Sequence, residues 1–269
     1  MERPIVFLDT ETATLLGAPH LLEIGAVRVV DGEVIDRFET LVRPQVPIEP
    51  EATAIHGIED EAVRSAPDAG AAIASFLGWL GEDWMAAHGA RFDAGVLAFE
   101  CVRWGLVPPT APILDTVKIA HKLLPDSPDH KLPTLCQILE IETEVHHRAL
   151  PDAVSCWKVL EACVERLPAH PPATTADLLA FCSPPVTVAG AAPRMPKIAP
   201  RLRPIEEALR SQARITVLYG ESEELSRLSI LPRILFESRR RGYLEAECVR
   251  SGLLKTYRLD RVRSILENA

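Results

Sequence analysis

Three apolar segments in the first fifty residues constrain the fold more than anything else in the chain. "PIVFLDTET" runs apolar into acidic and hydroxyl residues, and "LLEIGAVRVVDGEVIDRFETLVRP" alternates on either side of Asp31 and Gly32. Period-two alternation around an Asp-Gly pair predicts two strands joined by a hairpin, and with the first segment a three-stranded antiparallel meander. Helical periodicity takes over at "AAIASFLGWL", from Ala71 to Leu80, and "WMAAHGARFD" predicts a strand feeding a helix that carries Val96, Leu97, Phe99 and Trp104. "APILDTVKIAHKLL" predicts a brief strand and then a helix, "KLPTLCQILEI" a short helix opened near Pro133, and "LPDAVSCWKVLEACVERL" a long amphipathic helix with Pro151 in its first turn. Strands followed by alternating strands and helices imply a mixed sheet covered by helices.

From Pro168 to Pro200 the composition shifts to Pro, Ala and Thr, which predicts an extended linker in which "ADLLAFC" can form a turn or two of helix. Beyond it "PIEEALRSQARITVLYG" reads as helix then strand, and "RLSILPRILFES", "GYLEAECVRS" and "KTYRLDRVRSIL" read as strands of a small β-rich domain. The expected division is 1–168, a linker over 169–200, and 201–269. A chain of 269 residues, 47% hydrophobic, has ample material for such cores. It shows no signal pattern and no apolar run near the roughly 20 residues that span a bilayer, so a soluble, cytoplasmic protein is expected. Six cysteines without a C-x-x-C pair argue against a zinc site and a disulfide framework and for reduced thiols. Charge is uneven: up to Arg194 there are 14 basic and 28 acidic side chains, net −14, and from Met195 there are 15 and 10, net +5. An acidic part with a basic appendage is compatible with a nucleic-acid substrate held partly by the appendage, and equally with a solvated basic surface.

The acidic residues fall at element boundaries, where a site on a mixed sheet is assembled. Asp9 and Glu11 end the first strand two residues apart, hence on one side of it. D-x-E alone fits an acidic strand end as well as a site. Asp93 follows a strand-like segment in "HGARFD", and Asp152 opens the long helix in "HHRALPD". Four carboxylates without a nearby cysteine form a hard oxygen set suited to Mg²⁺ or Mn²⁺. Paired divalent ions can clamp the attacking and leaving oxygens of a phosphodiester hydrolysis. Such chemistry needs a base: if the helix begins near Pro151, His147, five residues before Asp152, is expected on the preceding loop, and His146 would then point elsewhere.

In order and spacing, "FLDTET", "HGARFD" and "HHRALPD" resemble the three motifs of the DEDD 3′-to-5′ exonucleases of the histidine subtype, over roughly Arg3 to Leu167. That superfamily has a ribonuclease H-like α/β fold, a mixed sheet flanked by helices. The resemblance implies that Asp9, Glu11, Asp93 and Asp152 hold two Mg²⁺ or Mn²⁺ ions and that His147 is the base. Asp9 would bridge both ions, Glu11 and Asp152 would complete the one carrying the nucleophilic water, and Asp93 would support the second. It also implies that "AIHGIED" brings His56 to the terminal nucleotide, that the backbone amides of Thr10 and Thr12 meet it, and that His88 belongs to the substrate site. Phe92 could pack under a base, but an aromatic beside a helix start is expected in the core. One departure stands out: the family often has asparagine after the histidine of its second motif, where this chain has Gly89.

From about Arg203 the chain is similar to WYL domains, which implies a small Sm-like or SH3-like β-barrel that binds nucleic acid or a nucleotide. Tyr243 and Leu244 match the motif, and Gly242 stands where it has tryptophan. Arg239, Arg240 and Arg241, with Arg258, Arg261 and Arg263, offer basic groups, although a triple arginine at a hairpin tip is also a common solvated turn. The expected activity is release of nucleoside 5′-monophosphates from 3′ ends, with DNA favoured over RNA, in repair or processing. An RNA-processing exoribonuclease and a non-catalytic nucleic-acid or nucleotide-sensing protein are the alternatives, and a homodimer is compatible with the resemblance. With no glutamine-led clamp-binding peptide in its linker or tail, the chain reads as a stand-alone nuclease rather than a polymerase proofreading subunit.

Overall fold

The computed structural model describes residues 3–15, 17–143, 147–168, 174–221, 224–238 and 240–266. They divide into two compact units, Met1–Cys101 with Leu106–Ala192, and Val102–Gly105 with Pro193–Ala269.

In the first unit, β1 (Ile5–Thr12), β2 (Leu21–Val30) and β3 (Glu33–Leu41) form the antiparallel meander. Asp31 (φ 51) and Gly32 (φ 77) make the two-residue turn, whose backbone twist suits a tight hairpin. β2 is buried along nearly its whole length, which is why its sequence is mostly apolar, broken only by Glu23 and Arg28, rather than a clean alternation. β3 is the sheet edge and keeps Glu33, Asp36 and Arg37 exposed, which blunts strand addition there. Three helices follow: α1 (Pro50–His56), α2 (Asp60–Val63) and α3 (Ala69–Leu80), the last capped by Asp68, which accepts from the Ala71 N–H at 2.9 Å.

β4 (Trp84–Ala87) pairs parallel to β1 and leads into α4 (Arg91–Trp104); β5 (Pro112–Asp115) pairs parallel to β4 and leads into α5 (Thr116–Leu123). α6 (Leu132–Ile138) and α7 (Ala149–Val164) complete the cover of one face. There Phe7, Val27 and Leu114 of the sheet pack with Ile119, Leu135, Val159 and Leu160, each such burial contributing about 1.5–3 kcal/mol.

The proline-rich stretch expected to be an extended linker is folded in part. α8 (Thr175–Phe181) carries a Thr174–Asp177 capping box and buries Leu178 in the same core, and β6 (Val186–Thr187) adds an antiparallel strand beside β5. Apolar side chains between the prolines supply the burial that a linker lacks. The six-stranded mixed sheet runs β3-β2-β1-β4-β5-β6.

In the second unit, α9 (Arg203–Ser211) precedes an antiparallel sheet of β7 (Ile215–Glu221), β8 (Glu224–Ser238), β9 (Arg241–Cys248), β10 (Leu254–Arg258) and β11 (Val262–Leu266), in the order β10-β9-β8-β7-β11. The segment read as one final strand is two: a 3-10 turn at Leu259–Arg261 carries the chain from the β9 side to the β7 side, so β10 and β11 lie on opposite edges. β8 bulges between Pro232 and Ile234, since proline has no N–H for the ladder. Ile205, Val217, Ile230, Leu235, Leu244 and Tyr257 form the core of this unit. Among the described residues no helix is long and apolar enough to cross a membrane.

Candidate active site

Because β1 and β4 are parallel, the end of β1 and the start of the helix after β4 lie at one end of the sheet, the carboxyl end of the parallel strands where ligand sites form. β1 delivers Asp9 and Glu11 there, half-buried and on one side of the strand, while Thr10 and Thr12 alternate inward. Asp93, in the first turn of α4, is 2% exposed and accepts a hydrogen bond from Thr10 Oγ1 at 2.8 Å. The N-terminus of α4 favours a carboxylate at that position.

The fourth carboxylate arrives from the opposite end of the sequence. α7 lies across β1 and β2, and its first turn meets β2 at Gly25. A Cβ on Gly25 would stand 2.0 Å from the Leu150 nitrogen and 2.2 Å from the Ala149 carbonyl carbon, so only glycine lets the helix come this close. Gly25 pairs with Asp9 across the ladder, and the approach therefore sets Asp152 beside the carboxylates of β1. His147, exposed, sits just ahead of the helix with φ 61. This is a left-handed conformation that costs a non-glycine residue about 1–2 kcal/mol. Its N–H donates to Asp152 Oδ2 at 2.9 Å.

The crowding has an electrostatic consequence. Burial, then repulsion from Asp93, Glu11, Asp152 and Glu23, holds Asp9 well above the usual carboxylate range. Burial and the charges of Asp152, Glu23 and Asp93 push Glu11 to about 8, with Arg148 opposing. Burial pushes Asp93 to about 7 against the Thr10 hydroxyl, which favours the charged form. Such a group of acids is stable as carboxylates only with cations among them. Ligand atoms of Glu11, His147 and Asp152 all lie within 4.8 Å of one another. With Asp9 and Asp93 alongside, this oxygen-rich donor set fits hard divalent ions.

The profile of the exonuclease family RNase_T matches residues 6–160, more than half of the chain. The chain belongs to this exonuclease family. The WYL domain family matches residues 200–266. A DNA polymerase III PolC-type protein of Oceanobacillus iheyensis is 35% identical over 170 residues, which cover 61% of this chain and 12% of that protein. One of Bacillus cereus is 35% identical over 152 residues, 56% and 11% respectively. The chain spans about an eighth of the length of these curated relatives. Among solved structures, Exonuclease X in complex with 5′ overhanging duplex DNA has a TM-score of 0.52 and 27% identity, over 66% of this chain and 98% of that one. The exonuclease domain thus has the ribonuclease H-like fold that the motifs implied.

Within the exonuclease domain the other site residues divide. His56, at the end of α1, is buried, accepts from the Ile58 N–H at 3.0 Å through Nδ1, and is held below the ordinary histidine range by burial. Its electrostatic neighbours Glu23, Arg148 and His147 place it at the edge of the carboxylate cluster. The hydroxyl of Thr12 is turned inward to the Thr14 carbonyl at 3.0 Å.

His88 is bonded within the protein. Nδ1 lies 2.9 Å from Thr116 Oγ1 and Nε2 2.8 Å from the His130 carbonyl, so both ring nitrogens are occupied by the protein and the ring braces the start of α5. Gly89, at φ +84, gives its N–H to Asp115 Oδ1 at 3.2 Å, a left-handed backbone position that suits glycine here and the family's asparagine alike. Phe92 is a correction: expected in the core, it is 55% exposed. One residue along a helix is a rotation of about 100°, so the inward turn of Asp93 sends Phe92 out beside the site.

Three residues of the site escaped sequence reasoning: Glu23, Gly25 and Arg148. Glu23 is fully buried in β2, where Arg148 and the Ala149 N–H both bond to it. The available signal was a single carboxylate and a glycine inside the apolar run "LLEIGAV". His146 and Arg239 lie outside the described residues.

In the WYL domain the basic groups are partly spoken for: Arg258 pairs with Asp260, Arg261 with Glu221, and Arg263 donates to the Gly220 carbonyl, while Arg240 and Arg241 are exposed. At Gly242, where the motif has tryptophan, a Cβ would meet the Leu259 side chain at 2.8 Å and Pro196 at 3.0 Å.

Proposed function

We propose that the chain is a metal-dependent 3′-to-5′ exonuclease that releases nucleoside 5′-monophosphates, acting on DNA ends in repair or processing. The observation that carries the reading is the convergence of Asp9, Glu11, Asp93 and Asp152 at one end of the sheet with His147 beside them. Asp9, Glu11, Asp93 and Asp152 would hold the two Mg²⁺ or Mn²⁺ ions. When bound, they supply positive charge that favours an attacking hydroxide and offsets charge on the phosphate. The protein contributes the rest: His147, exposed on its turn, accepts the proton of the attacking water. His56, at the edge of the cluster, and exposed Phe92, next to Asp93 in the chain, suit contact with the terminal nucleotide. The DNA in the Exonuclease X complex and the polymerase relatives support DNA over RNA.

Catalysis belongs to residues 1–168 and ligand binding to 201–269. The strand order of the second sheet and the bulge in β8 support closure into an Sm-like or SH3-like barrel, and exposed Arg240 and Arg241 suit a nucleic-acid or nucleotide ligand. Burial of five of the six cysteines suits a reducing cytoplasm.

The test is to incubate purified protein with 3′- and 5′-labelled DNA and RNA oligonucleotides in Mg²⁺, Mn²⁺ or EDTA, beside Asp9→Ala and His147→Ala. Stepwise loss from the 3′ end, dependent on metal and suppressed in both variants, is expected. Activity in EDTA, or undiminished in both variants, would reject the assignment, and faster loss of RNA would reverse the substrate preference.

A further inference from the structure

The left-handed turn at His147 is the strained point of the site, and such a conformation persists only where its surroundings over-determine it. Two anchors bracket it. On one side the His147 N–H is held by Asp152, as described. On the other, Arg148 and Ala149 are both held by Glu23: Arg148 Nε is 3.1 Å from each carboxylate oxygen and Nη2 is 2.6 Å from Oε1, while the Ala149 N–H donates to Oε2 at 2.9 Å. Glu23 is inaccessible, whereas the Arg148 side chain is 38% exposed. The carboxylate therefore acts as a fixed post in the sheet to which the turn is tied from outside. A buried carboxylate is retained only when its charge is paired and its oxygens are bonded, and here Arg148 and Ala149, the two residues after the base, both bond to Glu23.

We propose that Glu23 is a positioning residue: through the Arg148 guanidinium and the Ala149 N–H it locks the left-handed turn and so aims the imidazole of His147. This rests on the reading of His147 as the base. It also assigns Arg148 to the lock rather than to the substrate, because the edge formed by Nε and Nη2 is committed to Glu23.

The experiment uses the full chain with Glu23→Gln, Arg148→Ala, Arg148→Lys and the Glu23→Gln/Arg148→Ala pair. Turnover of a labelled oligonucleotide is measured across substrate and Mg²⁺ concentrations. Loss of an outer partner of a site residue predicts a kcat about 10 to 100-fold lower, with KM and the Mg²⁺ half-saturation unmoved. The double variant should be no slower than the slower single one, since both break one lock. Lysine at 148 keeps the charge but not the fork, and should fall with alanine rather than rescue. Hydrogen exchange supplies the readout independent of activity: amides of residues 147–149 should exchange about tenfold faster in the variants, with α3 unaffected.

A loss confined to KM would instead make Arg148 a phosphate contact, and a loss recovered by raising Mg²⁺ would make Glu23 part of the ion site. Exchange that rises equally in α3 would make Glu23 merely structural. Unchanged exchange at 147–149 overturns the lock whatever the turnover. Wild type and His147→Ala run alongside: an inactive wild type defeats the functional reading, while the exchange arm still decides the lock. If Glu23→Gln does not fold, Arg148→Lys, partly exposed, carries the same test.

Discussion

Gly25→Ala isolates the approach that assembles the site. The added Cβ would lie 2.0 Å from the Leu150 nitrogen, and ordinary van der Waals contact begins at 3.4 Å, so sheet and helix must separate by about 1.4 Å or rotate to the same effect. The three nearest atoms, in Ala149 and Leu150, all belong to backbone, so no side-chain rotation relieves the contact. Overpacking of this kind costs about 1–3 kcal/mol, and a misplacement of about 1 Å at a reacting centre can cost about 100-fold in rate. Asp152 moves with the first turn of α7 while Asp9 stays with β1, so the variant should lose roughly two orders of magnitude in kcat yet remain folded. Thermal unfolding and single-turnover hydrolysis of a short oligonucleotide measure the two quantities. Gly78→Ala, at an exposed position of α3 with nothing within 4 Å of its Cβ, is the control and should gain about 0.5–1 kcal/mol without loss of rate. A Gly25→Ala protein as active as wild type would refute the argument that close packing of α7 on β2 sets the carboxylates.

Two further outcomes follow from the electrostatics and the surface. In ion-free protein, Glu11 and Asp93 are held near 8 and near 7, above their unfolded values, so their contribution to stability is complete in acid and is lost as pH rises through 7 and then 8. The ion-free Tm should therefore fall across neutral pH, and Mg²⁺ or Glu11→Gln should flatten the fall; a Tm that climbs over that range would contradict the assigned shifts. Phe92→Ala should leave the Tm unchanged while raising KM by the loss of one stacked base, about 1–3 kcal/mol. A fall in Tm like that of a core aromatic would instead return Phe92 to the interior.

How much of this was legible depended on range. The strands of the meander, the Asp31–Gly32 turn and the helices over "AAIASFLGWL" and "LPDAVSCWKVLEACV" follow from periods of two and 3.6 and from local turn chemistry, which a linear string displays directly. The split between β10 and β11 was not visible, because the break depends on which neighbours each half pairs with. The surroundings of His88 and Phe92 were not visible for a related reason. A histidine in a motif and an aromatic at a helix start carry no mark of direction until Thr116 and the His130 carbonyl take up the ring and Asp93 claims the inward face.

By itself the sequence determined which residues could do the chemistry: Asp9 and Glu11 on one side of a strand, Asp93 and Asp152 at helix starts, and His147 five residues before the last. Only the tertiary structure decided that they form one site. Asp9 and Asp152 are separated by most of the first domain, and what brings them together is the missing side chain of Gly25, with buried Glu23 two residues away tied to Arg148 and the first N–H of α7. Those contacts join β2 to a loop more than a hundred residues later. Periodicity reports which face of an element is apolar, but not which other backbone will come to rest against it.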